Sequence, residues 1–313
     1  GDWSSDVCSS DLILHHFDQS PFSEKIRVIF GFKQLAWNSV RISRIMPRPD
    51  LMPMTGGYRR TPTMQIGADI YCDTQIIIRE LERRFPTPTL FPAGHAGMPW
   101  ALGMWTDRPF FQSTVNLVFG FIGDKVPQDF IADREKLRGG KFDIAAMTAA
   151  LPQMRDQFRA NVDWIEAQLG DNRPFLFGEF SLADVSAYMN VWYARQSLAT
   201  MDEMMKSWPR IAAWEQRIRA IGHGTRTEMS SGDALEIAAK ARPESPVFGD
   251  PADPNGRKPG DIVSVMPDDY GKVPVRGEIV SLSAQHIAIR RSDERAGAVV
   301  VHFPRAGFLV VPG

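Results

Sequence analysis

Cysteine is scarce in this chain, with only Cys8 and Cys72 among 313 residues. Two cysteines cannot build a disulfide framework or a cysteine-rich zinc site. An excess of charge of one sign is also lacking, because 36 Lys and Arg balance 37 Asp and Glu. This balance gives no general attraction to nucleic acid or anionic lipid, and no apolar run approaches the ~20 residues of a membrane span. We therefore expect a cytoplasmic protein without nucleic-acid or membrane partners.

The length and the hydrophobic content of 43% predict a globular protein, with two or three domains at ~150 residues per domain. Residues 2–12 read DWSSDVCSSDL, which has no periodicity. This string looks like a translated sequencing adapter fused to a reading frame that lost its own start. A disordered Ser- and Asp-rich tail explains the composition equally well, although not the specific string. On either interpretation residues 1–12, with Cys8, are excluded from the fold.

Residues 13–90 carry the patterns of a small α/β domain. Pro21 suits the first turn of a helix, Gly67 and Ala68 separate two short runs as in a hairpin, and Asp73 or Thr74 can cap a helix. The predicted order is a strand at 12–17, a helix at 22–35, a strand at 37–45, a loop at 46–60, strands at 61–66 and 69–72, and a helix at 73–84.

The rest of the chain predicts two further kinds of structure. Residues 99–225 lose the strand pattern and show helical spacing, and Ser181 to Asp184 reads as a capping box. Residues 226–259 hold a short helix and a proline-rich linker. Residues 260–313 hold about five short runs bounded by Gly, Pro, Asp or Ser, which predicts a small all-β module of the SH3-like barrel type.

Three separated motifs resemble those of cytosolic glutathione S-transferases. Residues 20–27, SPFSEKIR, are similar to the S/C-P-F-x-x-[KR]-[VI]-[RK] motif of tau- and omega-type enzymes. Residues 60–64, RTPTM, match the segment that carries a cis proline, and Asp73–Thr74 matches the E/D-S/T pair that opens a helix. The resemblance implies a thioredoxin-like α/β N-domain and an all-helical C-domain. The module at 260–313 lies outside this family architecture.

The resemblance also implies that glutathione is the co-substrate and that Ser20 is catalytic. A thiol of pKa ~8.5 is mostly protonated at neutral pH, while the thiolate is the nucleophile. A hydroxyl at a helix N-terminus can donate to the sulfur, and the free N–H groups there favour its negative charge. Ser23 takes the second position of a C-x-x-C pair, which argues against disulfide exchange. The alternative is that Ser20 is only an N-cap.

Further glutathione contacts follow from the same resemblance. Thr61, before a cis Pro62, would pair with the cysteinyl backbone, and Asp73 and Thr74 would meet the γ-glutamyl end. Arg60, or the arginine before it, would pair with the glycyl carboxylate. The alternatives are a trans proline and simple helix capping. The predicted glutathione-binding residues are Phe22, Arg60, Thr61, Pro62, Asp73 and Thr74.

The acceptor pocket of this family lies against the helical domain, where Trp105, Phe110 and Phe111 are the predicted contacts. A plain helical core is the alternative for these rings. No cluster of residues has metal-ligand spacing, so we expect no metal.

The expected function is conjugation of glutathione to small apolar electrophiles, in detoxification, by a homodimer. Two alternatives stay open: a non-catalytic, transferase-like interaction or regulatory protein, and a different glutathione-dependent reaction such as isomerisation, dehalogenation or peroxide reduction.

Overall fold

The N-terminal domain has the predicted element order. The computed structural model describes residues 11–92, 94–244 and 246–313, and residues 2–10 of the adapter-like string lie outside these ranges. The elements are β1 (Ile13–His16), α1 (Pro21–Phe32), β2 (Ala36–Arg41), α2 (Leu51–Thr55), β3 (Thr63–Ile66), β4 (Asp69–Cys72) and α3 (Thr74–Arg84). The helix α2 lies inside the predicted loop, where five residues are too few to show a helical period.

The sheet of this domain has thioredoxin-like pairing. Strand β1 runs parallel to β2 and antiparallel to β3, and β4 completes the hairpin with β3. All four residues of β1 are buried, as a continuous apolar run predicts for a central strand. The carboxyl end of β1 leads directly into α1, so the N-terminus of α1 opens at the sheet edge.

The second domain is helical, as predicted. Its helices are α4 (Met98–Trp105), α5 (Phe111–Ile122), α6 (Gln128–Arg138), α7 (Ile144–Ala149), α8 (Leu151–Gln168), α9 (Leu182–Ser197), α10 (Met201–Met205) and α11 (Pro209–Ile221). A π-helical turn at Thr106–Phe110 joins α4 to α5 and contains Pro109, which cannot donate a backbone hydrogen bond.

The predicted capping box at the start of α9 is confirmed. The Asp184 carboxylate accepts from the Ser181 backbone N–H at 3.0 Å and from the Ser181 hydroxyl at 2.7 Å. The same carboxylate accepts from Leu176 N at 2.8 Å and from the Trp214 indole at 2.9 Å. These bonds fix the start of α9 against α11 in the centre of the helical core.

The C-terminal residues form the predicted strands and join the N-terminal sheet. The remaining elements are β5 (Thr225–Glu228), α12 (Ser231–Lys240), β6 (Ile262–Pro267), β7 (Val275–Leu282), β8 (His286–Asp293), β9 (Gly297–Pro304) and β10 (Phe308–Pro312). Strand β9 pairs with β4 in parallel, which gives one ten-stranded sheet in the order β10-β6-β7-β8-β9-β4-β3-β1-β2-β5.

The N-terminal sheet and the C-terminal strands also share one hydrophobic core. Ile70 and Cys72 of β4 pack in the same cluster as Ile289, Val301 and Phe303. Burial raises the pKa of the Cys72 thiol well above its ordinary value, as for a small apolar residue of the core. The C-terminal strands therefore extend the first domain rather than follow it at a distance.

Candidate functional site

A cavity of about 480 Å³ opens where the N-terminal sheet faces the helical domain. The N-termini of α1 and α3 reach it from one side, and α5 and α6 from the other. The turns after β6 and β9 also reach it. Of the residues predicted from sequence, the cavity brings together Ser20, Phe22, Arg60, Thr61, Pro62, Asp73, Thr74 and Phe111.

Ser20 is the N-cap of α1 and also lines the cavity. Its Oγ accepts from the backbone N–H of Ser23 at 3.2 Å. This bond uses an oxygen lone pair, so the hydroxyl proton can still donate to a ligand. The capping role and the thiol-binding role are thus compatible in one side chain, beside the free N–H groups of a twelve-residue helix.

The Thr61–Pro62 peptide is cis, as the resemblance implied. A buried arginine that sequence reasoning missed holds the loop beside it. The Arg48 guanidinium donates to Thr61 Oγ1 at 3.1 Å, to Arg59 O at 2.7 Å and to Ser43 O at 2.9 Å. Burial, with Arg134 and Arg59 nearby, lowers the pKa of Arg48 to about 10.

Asp73 caps α3 in a backbone conformation that is rare for a residue with a side chain. Its φ is +96°, and its carboxylate accepts from Gln75 N at 2.9 Å. Burial raises the pKa of this carboxyl. Such backbone conformations cost about 1–3 kcal/mol and concentrate at functional sites. Asp73 is therefore the cap and Thr74 the first residue of the helix, and both side chains line the cavity.

Residues of the C-terminal strands complete the cavity wall. The Arg60 guanidinium lies over the Tyr270 ring at 3.9 Å and forms an ion pair with Asp269. Although burial opposes it, this pairing holds the pKa of Asp269 below its ordinary value. Asp268, at the same turn, pairs with Arg108 at 2.7 Å. The turn after β6 thus connects the loop of the first domain that carries Arg60 to the helical domain.

Two of the predicted acceptor contacts lie elsewhere. Trp105 donates from its indole to Asn161 Oδ1 at 2.9 Å and stacks on Phe110 at 5.5 Å. Phe110 is fully buried and packs on Phe158. Both rings belong to the helical core, whereas Phe111 lines the cavity and contacts Phe22 at 4.7 Å. Consecutive helical residues point about 100° apart, so the two adjacent phenylalanines cannot face the same way.

The cavity wall is strongly basic, which sequence reasoning did not predict. Eight basic and three acidic side chains line it. In the sequence these basic residues lie in separate segments, a pattern typical of solvent-exposed surface. Only the i, i+4 spacing of Arg134 and Arg138 places two of them on one helix face. The basic residues are Arg44, Arg48, Arg59, Arg60, Arg108, Lys125, Arg134 and Arg138, and the acidic ones are Asp73, Asp107 and Asp269.

The structure describes residues 11–92, 94–244 and 246–313. Within these ranges, no group of three or more His, Cys, Asp or Glu side chains could hold a metal ion. In the same ranges, no helix combines the length and the apolar content needed to cross a bilayer.

Comparison with known proteins agrees with this architecture. Residues 14–89 match the glutathione S-transferase N-terminal domain, and residues 148–217 match the glutathione S-transferase C-terminal domain. Among solved structures, a GST-like protein from Pseudomonas syringae is similar over 96% of this chain and 99% of its own, with 37% identity and a TM-score of 0.80. That coverage includes C-terminal strands.

More distant structures share the fold of the first two domains. FzlA from C. crescentus is 22% identical, with a TM-score of 0.51 over 75% of this chain and 94% of its own length. A beta-etherase, LigF, from Sphingobium sp. strain SYK-6 is 18% identical, with a TM-score of 0.50 over 67% of this chain and 95% of its own. A search of curated proteins gives no match. The domain matches and the full-length likeness to the Pseudomonas protein show that this chain belongs to the glutathione S-transferase family.

Proposed function

We propose that this protein is a glutathione transferase that activates the glutathione thiol through Ser20 and adds it to a small electrophile. The observation that carries the proposal is the cavity itself. It joins a hydroxyl at the N-terminus of α1, the cis Thr61–Pro62 segment and the N-terminus of α3 around one volume of about 480 Å³. These are the three features that a thiolate, a peptide backbone and a carboxylate would each require.

Each part of glutathione has a matching group. The backbone N–H and C=O of Thr61 would pair with the cysteinyl residue, as a further strand would. The N–H and hydroxyl of Thr74 would hold the γ-glutamyl carboxylate at the start of α3, and Asp73 would accept from the ammonium group. Phe22 would pack against the peptide. Arg60, steadied by Tyr270, would face the glycyl carboxylate.

The reaction then needs little from the protein beyond the thiolate. The thiol proton leaves to solvent, and the Ser20 hydroxyl donates to the sulfur and holds its negative charge. The sulfur lone pair forms a C–S bond at the electrophilic carbon. In a substitution the leaving group departs with its bonding electron pair, and in an addition the carbon chain gains the negative charge and then a proton.

Replacing Ser20 with Ala tests the proposal. A hydrogen bond to a charged group contributes about 1.5–3 kcal/mol, so the pKa of bound glutathione should rise by about one to two units and turnover at pH 7 should fall roughly 10- to 100-fold. Glutathione affinity should change little, because the other contacts remain. The pH–rate profile and a calorimetric titration of glutathione measure the two effects.

Ser23→Ala is the matched control. Ser23 lies one turn away and is buried, and its hydroxyl has no hydrogen-bond partner among the described residues. Removing it should leave the thiol pKa and turnover unchanged. An unchanged pH–rate profile in Ser20→Ala would refute the assignment of Ser20 and leave it as a helix cap.

We propose that the enzyme acts as a cytoplasmic homodimer in detoxification, as this family commonly does. The non-catalytic alternative receives less support, because the C-terminal strands bring Asp269, Tyr270 and Phe308 into the cavity rather than to a separate surface. Glutathione-dependent turnover without a thioether product would instead assign isomerisation, dehalogenation or peroxide reduction to the same site.

A further inference from the structure

The half of the cavity formed by α5 and α6 combines aromatic rings with cationic groups. Phe119 stacks on Phe130 at 5.6 Å and meets the edge of Phe142 at 5.0 Å, and Phe111 continues the same wall toward Phe22. Rings arranged in this way present both faces and edges to an entering ring, which favours an aromatic ligand over an aliphatic one.

Arginines of α6 cover these rings. Arg134 lies over Phe130 at 4.6 Å, and Arg138 lies over Phe142 at 5.0 Å. The Arg44 guanidinium also lies over Phe130, at 5.8 Å. Stacking thus orients the guanidinium planes, and a terminal nitrogen of Arg134 also donates to the backbone carbonyl of Arg44.

The positive charge here exceeds the nearby negative charge. Among the described residues, no carboxylate lies within ion-pair distance of Arg44 or Arg138, and the buried Nε of Arg134 has no hydrogen-bond partner. In the part of the chain that the structure describes, Arg134 forms an ion pair with Asp133, at 3.2 Å, and Asp133 also pairs with Arg59. Burial lowers the pKa of both Arg134 and Arg138, as expected for cations that are removed from water without full pairing.

We propose that the acceptor substrate is an aromatic acid, whose ring packs on Phe119 and Phe142 and whose carboxylate pairs with Arg134 and Arg138. This inference rests on the proposed function and names its substrate class. A guanidinium matches a carboxylate with two parallel hydrogen bonds, and such charge-assisted bonds are about twice as strong as neutral ones. The proposed glutathione contacts come from the loops and helix ends of the first domain, so glutathione would not pair with the α6 arginines.

The test compares two electrophiles of similar size, the anionic 4-chloro-3-nitrobenzoate and the neutral 4-chloro-3-nitrobenzamide. In both, the glutathione sulfur bonds to the chlorine-bearing carbon, chloride leaves with the bonding pair, and the thiol proton passes to buffer. Each kcat/KM is divided by the uncatalysed rate constant. We expect the acid to be preferred by ten-fold or more, and Arg138→Gln or Arg134→Gln to lower kcat/KM for the acid roughly 10- to 100-fold.

Two controls isolate the charge. The first is the ratio of kcat/KM for the acid to that for the amide, which should fall roughly 10- to 100-fold in the same variants, while circular dichroism shows that they fold. Arg159→Gln, an exposed arginine on α8 outside the cavity, should leave both rates unchanged. An equal preference for acid and amide in the unsubstituted protein, or an acid preference that survives both α6 substitutions, would overturn the inference.

Binding without reaction separates this inference from the proposed function. Calorimetric titration with the unreactive pair 3-nitrobenzoate and 3-nitrobenzamide requires no thiolate. If the benzoate binds more tightly than the benzamide, and Arg138→Gln removes this difference, the acid site is supported. This holds even if neither chlorinated compound reacts, and in that case only the transferase proposal fails. Equal binding of the two compounds refutes the acid site whatever the transferase activity.

Discussion

Replacing Phe303 with Ala is expected to lower the free energy of unfolding of the whole chain by about 3–5 kcal/mol, the usual cost of emptying a buried phenylalanine site. Phe303 lies on β9 and is fully buried. Its ring packs on Tyr58 at 5.8 Å and on Phe308 at 5.7 Å, and both neighbours line the cavity. We expect one unfolding transition, because the C-terminal strands and the first domain share a core and a sheet.

The pairing of β9 with β4 is the physical reason for a single transition. The Val300 N–H donates to Ala68 O at 3.0 Å, and the two strands stay in register through Tyr71 and His302. Unfolding β6–β10 alone would leave one edge of β4 without a backbone partner and expose Ile70 and Cys72 to water. Both changes cost free energy, since exposed apolar area costs about 25 cal/mol per Å².

Tryptophan fluorescence during urea unfolding measures this coupling. All eight tryptophans lie at or before residue 214, so their signal comes from outside the C-terminal strands. The midpoint should fall in Phe303→Ala with an unchanged denaturant slope. Phe248→Ala, at a half-exposed ring, is the control and should cost well under about 1 kcal/mol. A fluorescence midpoint that stays fixed in Phe303→Ala, with a separate early loss of circular dichroism, would mean that residues 260–313 fold as an independent module.

The parts of the fold that the sequence predicts well are those with local signals. Three such signals each involve only a few neighbouring residues: the helix cap at Ser181, Pro21 at a helix start, and the hairpin around Gly67. Each of these elements appears where it is predicted. The pairing of β9 with β4 could not be predicted in this way, because alternating apolar residues specify a strand but not its neighbour. Strand β5, with the polar sequence TRTE, has no such pattern at all.

The candidate site shows the same difference between residues with a local sequence signal and residues placed by contacts with distant segments. The roles predicted for Ser20, Thr61–Pro62 and Asp73 are those that the resemblance to glutathione S-transferases implies, and each of the motifs that carry it spans only a few residues. Arg48 and Tyr270 become site residues only through contacts with distant segments, so their own sequence surroundings carry no sign of the role. The structure places the Phe110 ring in the helical core, and the sequence could not show this, because aromatic content identifies a helix but not which of its sides faces the cavity.

Acidification from pH 7 to pH 5 is expected to destabilise the protein through His15 and His16 of β1. Burial lowers the pKa of His15 to about 4 and, with help from Arg27, that of His16 to about 3. The unfolded chain takes up these protons near pH 6.5, whereas the folded chain does not. Stability is therefore complete above pH 6.5 and falls with pH down to the folded values, by about 2 kcal/mol per histidine at pH 5.

The surroundings of His16 explain why its ring stays neutral. The Nδ1 atom of His16 lies 3.1 Å from a guanidinium nitrogen of Arg27. Because a guanidinium can only donate hydrogen bonds, Nδ1 must be the acceptor. The ring proton is therefore on Nε2, which lies 3.0 Å from Ser39 Oγ. Arg27 is in turn paired with Glu24 at 2.7 Å. A second proton on the ring would replace the Arg27 hydrogen bond with the repulsion of two buried cations.

His16→Asn separates this contribution from those of other groups. The raised pKa values of the buried carboxyls Asp73 and Asp107 act in the opposite sense, because they stabilise the fold as pH falls. The comparison is therefore the change in unfolding free energy between pH 7 and pH 5, measured by urea titration in both proteins. Asparagine cannot titrate, so this change should be smaller by about 2 kcal/mol in the variant. An equal change in both proteins would mean that the His16 ring is already protonated in the folded state, and that Arg27 does not hold it neutral.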